Sequence, residues 1–394
     1  MFFLETIVLD SIHWVVNMLA AKLRLQRSYI LPKRFYTDKK LFELERTRVF
    51  ENLWIFAGLT NELGSAKSWM VKKIGNKEIV ISRDNDSYFA NENVCPHKNM
   101  RLMNNPSGRG PLVCSYHAWS FNADGSNAKI PHLDRSYLFT KQQKDRSCLK
   151  KYSIKRVGNF LFVNLSRHPV SIEKQFDRDI LKSLKLLSHR LSDQYTSMQE
   201  VRNFNWKLNF ENLRDALHPE IVHSKTLAKD VDFSEQHKQM LPLRKMMKLI
   251  KLVEASSLSK DGDQKGEKKG HADHLINPSF GEGYYNWLLF PNFHMASPDG
   301  GRSYSIEVHN PIAADKTEIT HYIICGKPIK PNDMFLEEFI EHRLRGLHTV
   351  LDEDYLVCEN VQKAIEFTSL EQNVGAYEYY NVNIASLYRI LMKR

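Results

Sequence analysis

Four residues in one short stretch are of types that bind metals: Cys95-x-His97, then sixteen residues, then Cys114-x2-His117. Each pair offers one soft thiolate and one imidazole, so two short loops could grip a metal centre from opposite sides. Pro96, Pro106, Gly108 and Gly110 lie around them and suit tight turns whose backbone N–H groups point toward sulfur. Two Cys and two His fit tetrahedral zinc. They also fit a [2Fe–2S] cluster in which two histidines replace two cysteines on one iron. A zinc finger ordinarily keeps its cysteines in one pair and its histidines in the other. Here both pairs are mixed, which favours the cluster.

A second group follows on the order of 100 residues later, in NFNWKLNFENLRDALHPEIVHSKTL. Asp215 and His218 are three apart and share a face if that segment is helical. His218 and His223 are five apart, about 140° around a regular helix, so both reach one metal only where the helix is disturbed. Pro219 supplies the disturbance: it disfavours helical geometry at His218 and can itself start a new helix. Two neutral imidazoles plus one carboxylate make the facial triad of non-haem iron oxygenases, which leaves coordination positions open for O2 or substrate.

The first motif resembles the Rieske signature. Tyr116 and Trp119 match its C-x-Y-H-x-W-x-F version, while Lys98-Asn99 stands where Arg-Gly is common. The second fits N-W-K-x3-E-N-x2-D-x2-H-x4-H at Asn205, Trp206, Lys207, Glu211, Asn212, Asp215, His218 and His223. Together they resemble the catalytic α subunit of the Rieske non-haem iron, or aromatic-ring-hydroxylating, oxygenases. The resemblance covers nearly the whole chain: LPKRFYTDKKLFELERTRVFENLWIFAG is similar to the family's opening and WLLFPNF to its substrate-domain strand.

The resemblance implies a Rieske [2Fe–2S] cluster on Cys95, His97, Cys114 and His117, and a mononuclear Fe(II) on His218, His223 and a downstream Asp. The family draws that Asp from E-D-x3-C/V-E-x-V-Q, which Glu353 to Gln362 fit, so Asp354 is the choice and Asp352 the competitor. It implies a homotrimer in which Asp215 bridges His117 of one subunit to His218 of the next and carries electrons between centres. A β subunit is compatible with it. The reaction implied uses O2 and a small organic substrate: arene hydroxylation or dihydroxylation, or oxidative demethylation of a methylated amine or ether. NAD(P)H enters only indirectly, through a separate reductase with or without a ferredoxin, since no G-x-G-x-x-G follows a strand here. Asn212, which follows the motif Glu, and the aromatics Trp287 and Phe293 are candidate pocket residues, alongside Tyr284, Tyr285 and Phe290. Cys148, Cys325 and Cys358 are then packing thiols.

The elements that must position these groups show three textures. Residues 37–53 read as a helix, with Thr37 as N-cap, Leu41, Phe42, Leu44, Val49, Phe50 and Leu53 as its apolar stripe, and Glu43–Arg46 and Glu45–Arg48 on the solvated side. From about Trp54 to Leu165, short β-like runs (Trp69–Ile74, Glu78–Ser82, Ser87–Glu92, and a closing hairpin of Tyr152–Val157 and Asn159–Asn164) read as a small all-β domain. Beyond 166, helical patterns mix with strands at Tyr284–Phe290, Tyr304–Val308 and Glu318–Cys325, and Phe335–Leu347 is helical in spacing. The expected fold is α+β: a Rieske domain, 51–165, inserted in a larger catalytic domain built from 1–50 and 166–394, with an antiparallel sheet flanked by helices. Residues 256–274 are a Lys-rich loop that is expected to be mobile, with a substrate lid as the functional alternative.

Length and composition are compatible with this. A chain of 394 residues, 42% hydrophobic and 26% charged, suits about two globular domains and excludes collagen-like, coiled-coil or disordered classes. Five scattered cysteines do not make a secreted disulfide framework and favour a reducing cytoplasm. The apolar start carries Glu5 and Asp10, and its continuation from Ile7 to Leu23 is interrupted by His13, Asn17 and Lys22. It reads as an amphipathic helix rather than a signal peptide or membrane span. The charge of +10 would also suit a zinc-site nucleic-acid-binding protein. A cluster-bearing chain does not need nucleic acid to explain it, because the basic stretch 238–269 could dock an acidic electron donor. A Rieske electron carrier without catalysis is the other rival, and the His218/His223/Asp354 set argues against it.

Overall fold

The computed structural model describes residues 29–176, 178–213, 215, 217–226, 275–279, 285–330, 333–370 and 372–374. The expected helix within 7–23, the basic stretch 238–269, the loop 256–274 and Tyr284 lie outside the described residues. The described chain opens with β1 (Tyr29–Leu31) and helices Arg34–Thr37 and Lys39–Glu45, the second running on through Arg46–Phe50. Asp38, not Thr37, caps the second helix, because its carboxylate accepts from the Lys40 and Leu41 N–H groups.

Strands follow: β2 (Ile55–Leu59), β3 (Ser68–Ile74), β4 (Lys77–Asp84), β5 (Ser87–Glu92), β6 (Ser107–Arg109), β7 (Leu112–Val113), β8 (Ser120–Phe121), β9 (Asn127–Lys129), β10 (Lys151–Val157) and β11 (Phe160–Asn164). Seven form one antiparallel sheet, β2-β11-β10-β5-β4-β3-β6, and β7-β8-β9 form a smaller one. The two metal-type loops lie between β5 and β6 and between β7 and β8.

The second large sheet is β12 (Leu191–Arg202), β13 (Tyr285–Leu289), β14 (Phe293–Ser297), β15 (Ser303–Ala313) and β16 (Lys316–Gly326), in the order β12-β16-β15-β14-β13. It is antiparallel throughout. A helix of 32 residues, Leu336–Phe367, crosses it, and β17 (Gln372–Val374) pairs back to β1. The protein is thus α+β. Among the described residues no helix is long and apolar enough to cross a membrane.

Along β13 and β14 and the strands beside them both faces of this second sheet are buried, and they are buried differently, whereas the edge strand β12 is largely half-buried or exposed. Trp287, Phe293, Met295, Tyr304, Ile306, Tyr322 and Ile324 join a core with Phe56, Phe160, Phe162 and Phe176 from the first sheet and its flank. Side chains alternate along a strand, so their neighbours Leu288, His294, Glu307 and His321 point the other way. Leu288 and Ile319 on that face share a core with Phe210, Leu351, Tyr355 and Cys358 of the helices.

A buried ion pair ties the opening helices to the rest. Lys207 Nζ lies 2.6 Å from Glu45 Oε1, both groups are out of solvent, and Trp206 Nε1 donates to Glu45 Oε2 at 2.9 Å. Glu45 therefore does not face solvent beside Arg48. A carboxylate that deep is tolerable only because Lys207 and Trp206 satisfy it.

Candidate metal centres

The two Cys/His loops have the same backbone course. Cys95 N–H donates to Met100 C=O at 2.8 Å, and Cys114 N–H donates to Trp119 C=O at 2.8 Å. The fourth residue after each cysteine closes back on it, Asn99 N–H to Cys95 C=O and Ala118 N–H to Cys114 C=O, both at 3.0 Å. Asn99 and Ala118 each adopt φ of 56°. Asn tolerates this left-handed conformation better than most non-glycine residues, which accounts for Asn99 where the resemblance leads one to expect Gly.

Cys95 and Cys114 are buried and adjacent. Burial above all, with the neighbouring sulfur, pushes the Cys95 thiol up to about 11, against the His97 and Lys98 N–H groups that point at it. The His97 and His117 rings lie 4.4 Å apart, and His97 stacks on Trp119 at 4.7 Å. His117 Nδ1 is buried without a hydrogen-bond partner. Two neighbouring buried sulfurs, the Cys95 sulfur beneath backbone donors, and an imidazole nitrogen with no protein acceptor fit an iron–sulfur centre, whose positive irons hold the thiols deprotonated.

The second site forms where the helix Trp206–Asn212 ends and a short helix, Pro219–Val222, begins. Asn205 caps the first, its side chain accepting from Lys207 N–H. Pro219 does restart a helix, but His218 keeps helical dihedrals, φ −67° and ψ −32°. The break lies upstream, around Asp215, whose carboxylate accepts from Leu217 N–H at 2.8 Å in a side-chain-closed turn. Asp215 Oδ2 is 3.9 Å from His218 Nδ1, which has no hydrogen-bond partner although it is buried.

His218 Nε2 and His223 Nε2 lie 3.3 and 3.2 Å from Asp354 Oδ1. One donor atom from each of the three falls within 4.8 Å of the others. Burial would raise Asp354, but the two imidazoles outweigh it and hold the carboxyl down at about 2. Two imidazole nitrogens and an ionised carboxylate around one point fit a divalent iron in a facial arrangement. Asn212 is brought to the same place: its Nδ2 donates to Asp354 Oδ1 at 2.9 Å. Glu353 was missed by sequence reasoning. Its Oε2 lies 2.8 Å from His223 Nδ1 and accepts from Thr226 Oγ1 at 2.6 Å. Its position immediately before Asp354 was the available signal.

The competitor Asp352 points elsewhere. Together with Glu200 and His348 it forms a second acidic and imidazole cluster, but Arg202 bridges both carboxylates and already supplies the cation. Trp287 and Phe293 are not brought to the triad: they are buried on the other face of the sheet, as are Tyr285 and Tyr304. A cleft of about 570 Å³ between β2–β3 and the β12–β16–β15 edge is lined by Lys72, Tyr195, Gln199 and Tyr322, among others, but by none of the three triad residues.

Residues 53–153 match the model of the Rieske [2Fe–2S] domain, and residues 182–381 that of the ring-hydroxylating α subunit catalytic domain. The chain belongs to the ring-hydroxylating oxygenase α subunit family. Members carry a Rieske cluster and a mononuclear iron, the two groups that the geometry above fits. The chain is 29% identical over 222 residues to the glycine betaine monooxygenase oxygenase subunit of Chromohalobacter salexigens, covering 53% of this chain and 46% of that one. It is 29% identical over 202 residues to the carnitine monooxygenase oxygenase subunit of Escherichia coli strain K12, covering 49% and 52%. It thus spans about half the length of the curated relatives it matches. A quaternary ammonium Rieske monooxygenase crystallised with L-carnitine shares the fold, with a TM-score of 0.64 at 21% identity over 91% of this chain and 95% of the other.

Proposed function

We propose that the chain is the terminal oxygenase component of a multi-protein system. It would use O2 and externally supplied electrons to hydroxylate a small organic substrate, with oxidative demethylation of a methylated quaternary amine as the first reaction to test. The observation that carries the reading is the approach of His218, His223 and Asp354 donor atoms to within 4.8 Å in a chain that also holds the Cys95/His97/Cys114/His117 loops. The names of the betaine- and carnitine-oxidising relatives support the amine.

In this reading Cys95, His97, Cys114 and His117 hold the cluster, and His218, His223 and Asp354 hold the iron. Bound there, the cluster supplies single electrons and the iron activates O2. The chain's own work is to orient and insulate. Glu353 at Nδ1 fixes the His223 tautomer so that Nε2 presents its lone pair inward, and Asn212 steadies Asp354 from the other side. Asp215 is the link by which electrons pass between subunits of a homotrimer. Tyr116 beside His117 and Ile221 beside the iron histidines are 62% and 77% exposed, apolar groups such a contact would cover. Residues 51–165 are the cluster domain, set within a catalytic domain built from 1–50 and 166–394; the Glu45–Lys207 pair and the Tyr36–Glu211 hydrogen bond, which tie 1–50 to 166–394, support the arrangement. Electrons come from a separate reductase.

Iron and acid-labile sulfide quantification with EPR tests the reading. About three irons per chain are expected, two in the cluster and one mononuclear. O2 uptake with a surrogate reductase, screened over glycine betaine, carnitine, choline and simple arenes, is expected to find its best substrate among the amines. Zinc without visible colour, or two irons and no uptake, would overturn it.

A further inference from the structure

The sheet face opposite the aromatic core carries a row of buried polar groups that the metal reading does not use. His294, Glu307 and His321 stand directly opposite one another on β14, β15 and β16. None is more than 4% exposed. Glu307 is the hub. Its Oε1 lies 3.1 Å from His294 Nδ1, and its Oε2 accepts from Tyr355 Oη at 2.9 Å and from Asn209 Nδ2 at 3.2 Å. Tyr355 Oη also lies 3.2 Å from His321 Nε2, and Asn209 Nδ2 lies 2.8 Å from His309 Nε2.

The two donors on Oε2 come from different helices, and each sits beside the triad's supports. Tyr355 follows Asp354 directly. Asn209 is one turn before Asn212, which donates to Asp354, on the helix that leads to His218 and His223. The contacts close a ring: Glu307 to Tyr355, along the chain to Asp354, across to Asn212, back one turn to Asn209, and to Glu307 again. A single carboxylate oxygen on a central strand thereby sets the register of the long helix against the short one. An apolar side chain of similar volume would fill the space without fixing that register, because it offers no directional acceptor.

We propose that Glu307 is a positioning residue for the iron triad, acting through Tyr355 and Asn209 to hold the Asp354 carboxylate in its place 3.3 and 3.2 Å from the His218 and His223 Nε2 atoms. This rests on the reading of those three residues as the iron ligands. Glu307 itself touches no ligand.

The test measures Fe(II) affinity on the purified full chain, with the mononuclear metal removed by chelator and the cluster retained, by equilibrium dialysis. Co(II) absorption reports the geometry of the same site. Tyr355→Phe, which deletes one oxygen and keeps the ring, is expected to weaken Fe(II) binding about tenfold or more and to alter the Co(II) bands, the loss typical for ligand-supporting groups. Glu307→Ala should do the same, and Glu307→Gln, which keeps an acceptor, should restore affinity to within about threefold of wild type. Tyr304→Phe, equally buried on the sheet's other face, should leave both readouts unchanged. Unchanged affinity and Co(II) spectrum in Tyr355→Phe would overturn the positioning role even if Glu307→Ala failed to fold. His223→Ala separates the two failures. If wild type takes up no metal that His223→Ala loses, the iron reading falls, and this proposal with it.

Discussion

Glu353 Oε2 lies 2.8 Å from His223 Nδ1, on the opposite side of the ring from the nitrogen that approaches Asp354. Successive carboxylates of one helix thus address both nitrogens of one imidazole. The arrangement leaves Nε2 the only nitrogen free to bind a metal, and it fixes the plane of the ring. Glu353→Ala is expected to lower Fe(II) affinity about 10- to 100-fold while the cluster's visible absorption is kept. Dialysis against graded Fe(II) would measure it; affinity equal to wild type would rule the support out.

Asp215 is expected to be dispensable for both metal sites and indispensable for turnover. In Asp215→Ala, cluster absorption and mononuclear iron should match wild type while product formation is lost. Chromatographic product analysis beside metal quantification checks this. Wild-type turnover would end the bridging role.

Asn99 and Ala118 share the left-handed conformation at matching points of the cluster loops, and they do not suit it equally. Ala carries a Cβ penalty there of about 1–2 kcal/mol, from which glycine is exempt. Ala118→Gly is expected to stabilise the holo protein by up to about 1 kcal/mol, after the added freedom of the unfolded chain is subtracted. Asn99→Val is expected to destabilise it by at least as much. Denaturant midpoints followed through cluster bleaching would rank the three proteins, and the opposite order would contradict the conformational account.

Glu211 gives a pH dependence with a definite sign. Burial, the dominant influence, raises its carboxyl from 4.5 to about 8, although the Tyr36 hydroxyl and the Lys207 ammonium both favour its charge. Between those values the folded chain retains a proton that the unfolded chain has released. This residue's contribution to stability therefore falls as pH rises from 4.5 to about 8 and is level above that. Between pH 6 and 7.5 the decline amounts to about 2 kcal/mol. Urea unfolding at the two pH values should show it in wild type, and Glu211→Gln should remove it.

Local chemistry was legible in the sequence; burial on two sides was not. The Cys95/His97 and Cys114/His117 spacing marks two loops because mixed pairs and turn residues are local facts, and the His218–Pro219 dipeptide announced a helix restart. The side to which β13 and β14 turn Trp287 and Phe293 was not readable. Every residue of β14 is buried, so hydrophobicity cannot tell the aromatic-core face from the opposite, polar one. Glu45 was misread for a related reason. Arg48 sits at helical spacing in the sequence, while the true partner, Lys207, is 162 residues away and reaches it only in the folded chain. Thr37 lost the cap to its neighbour Asp38 because two N–H groups converge on one carboxylate oxygen there.

The helix Leu336–Phe367 is about 48 Å long, and Asp354 stands about 27 Å along it. It behaves as a lever. Its first turns rest on Ile276, Ile323 and Cys325. A tilt of about two degrees pivoted there would sweep Asp354 through about 1 Å, several times the tolerance of a coordination bond. Conservative changes at Leu336 or Ile340 would then be felt at the metal before they were felt in overall stability. Loss of the proposed oxygenase activity on mutation at such distant positions would have a mechanical origin.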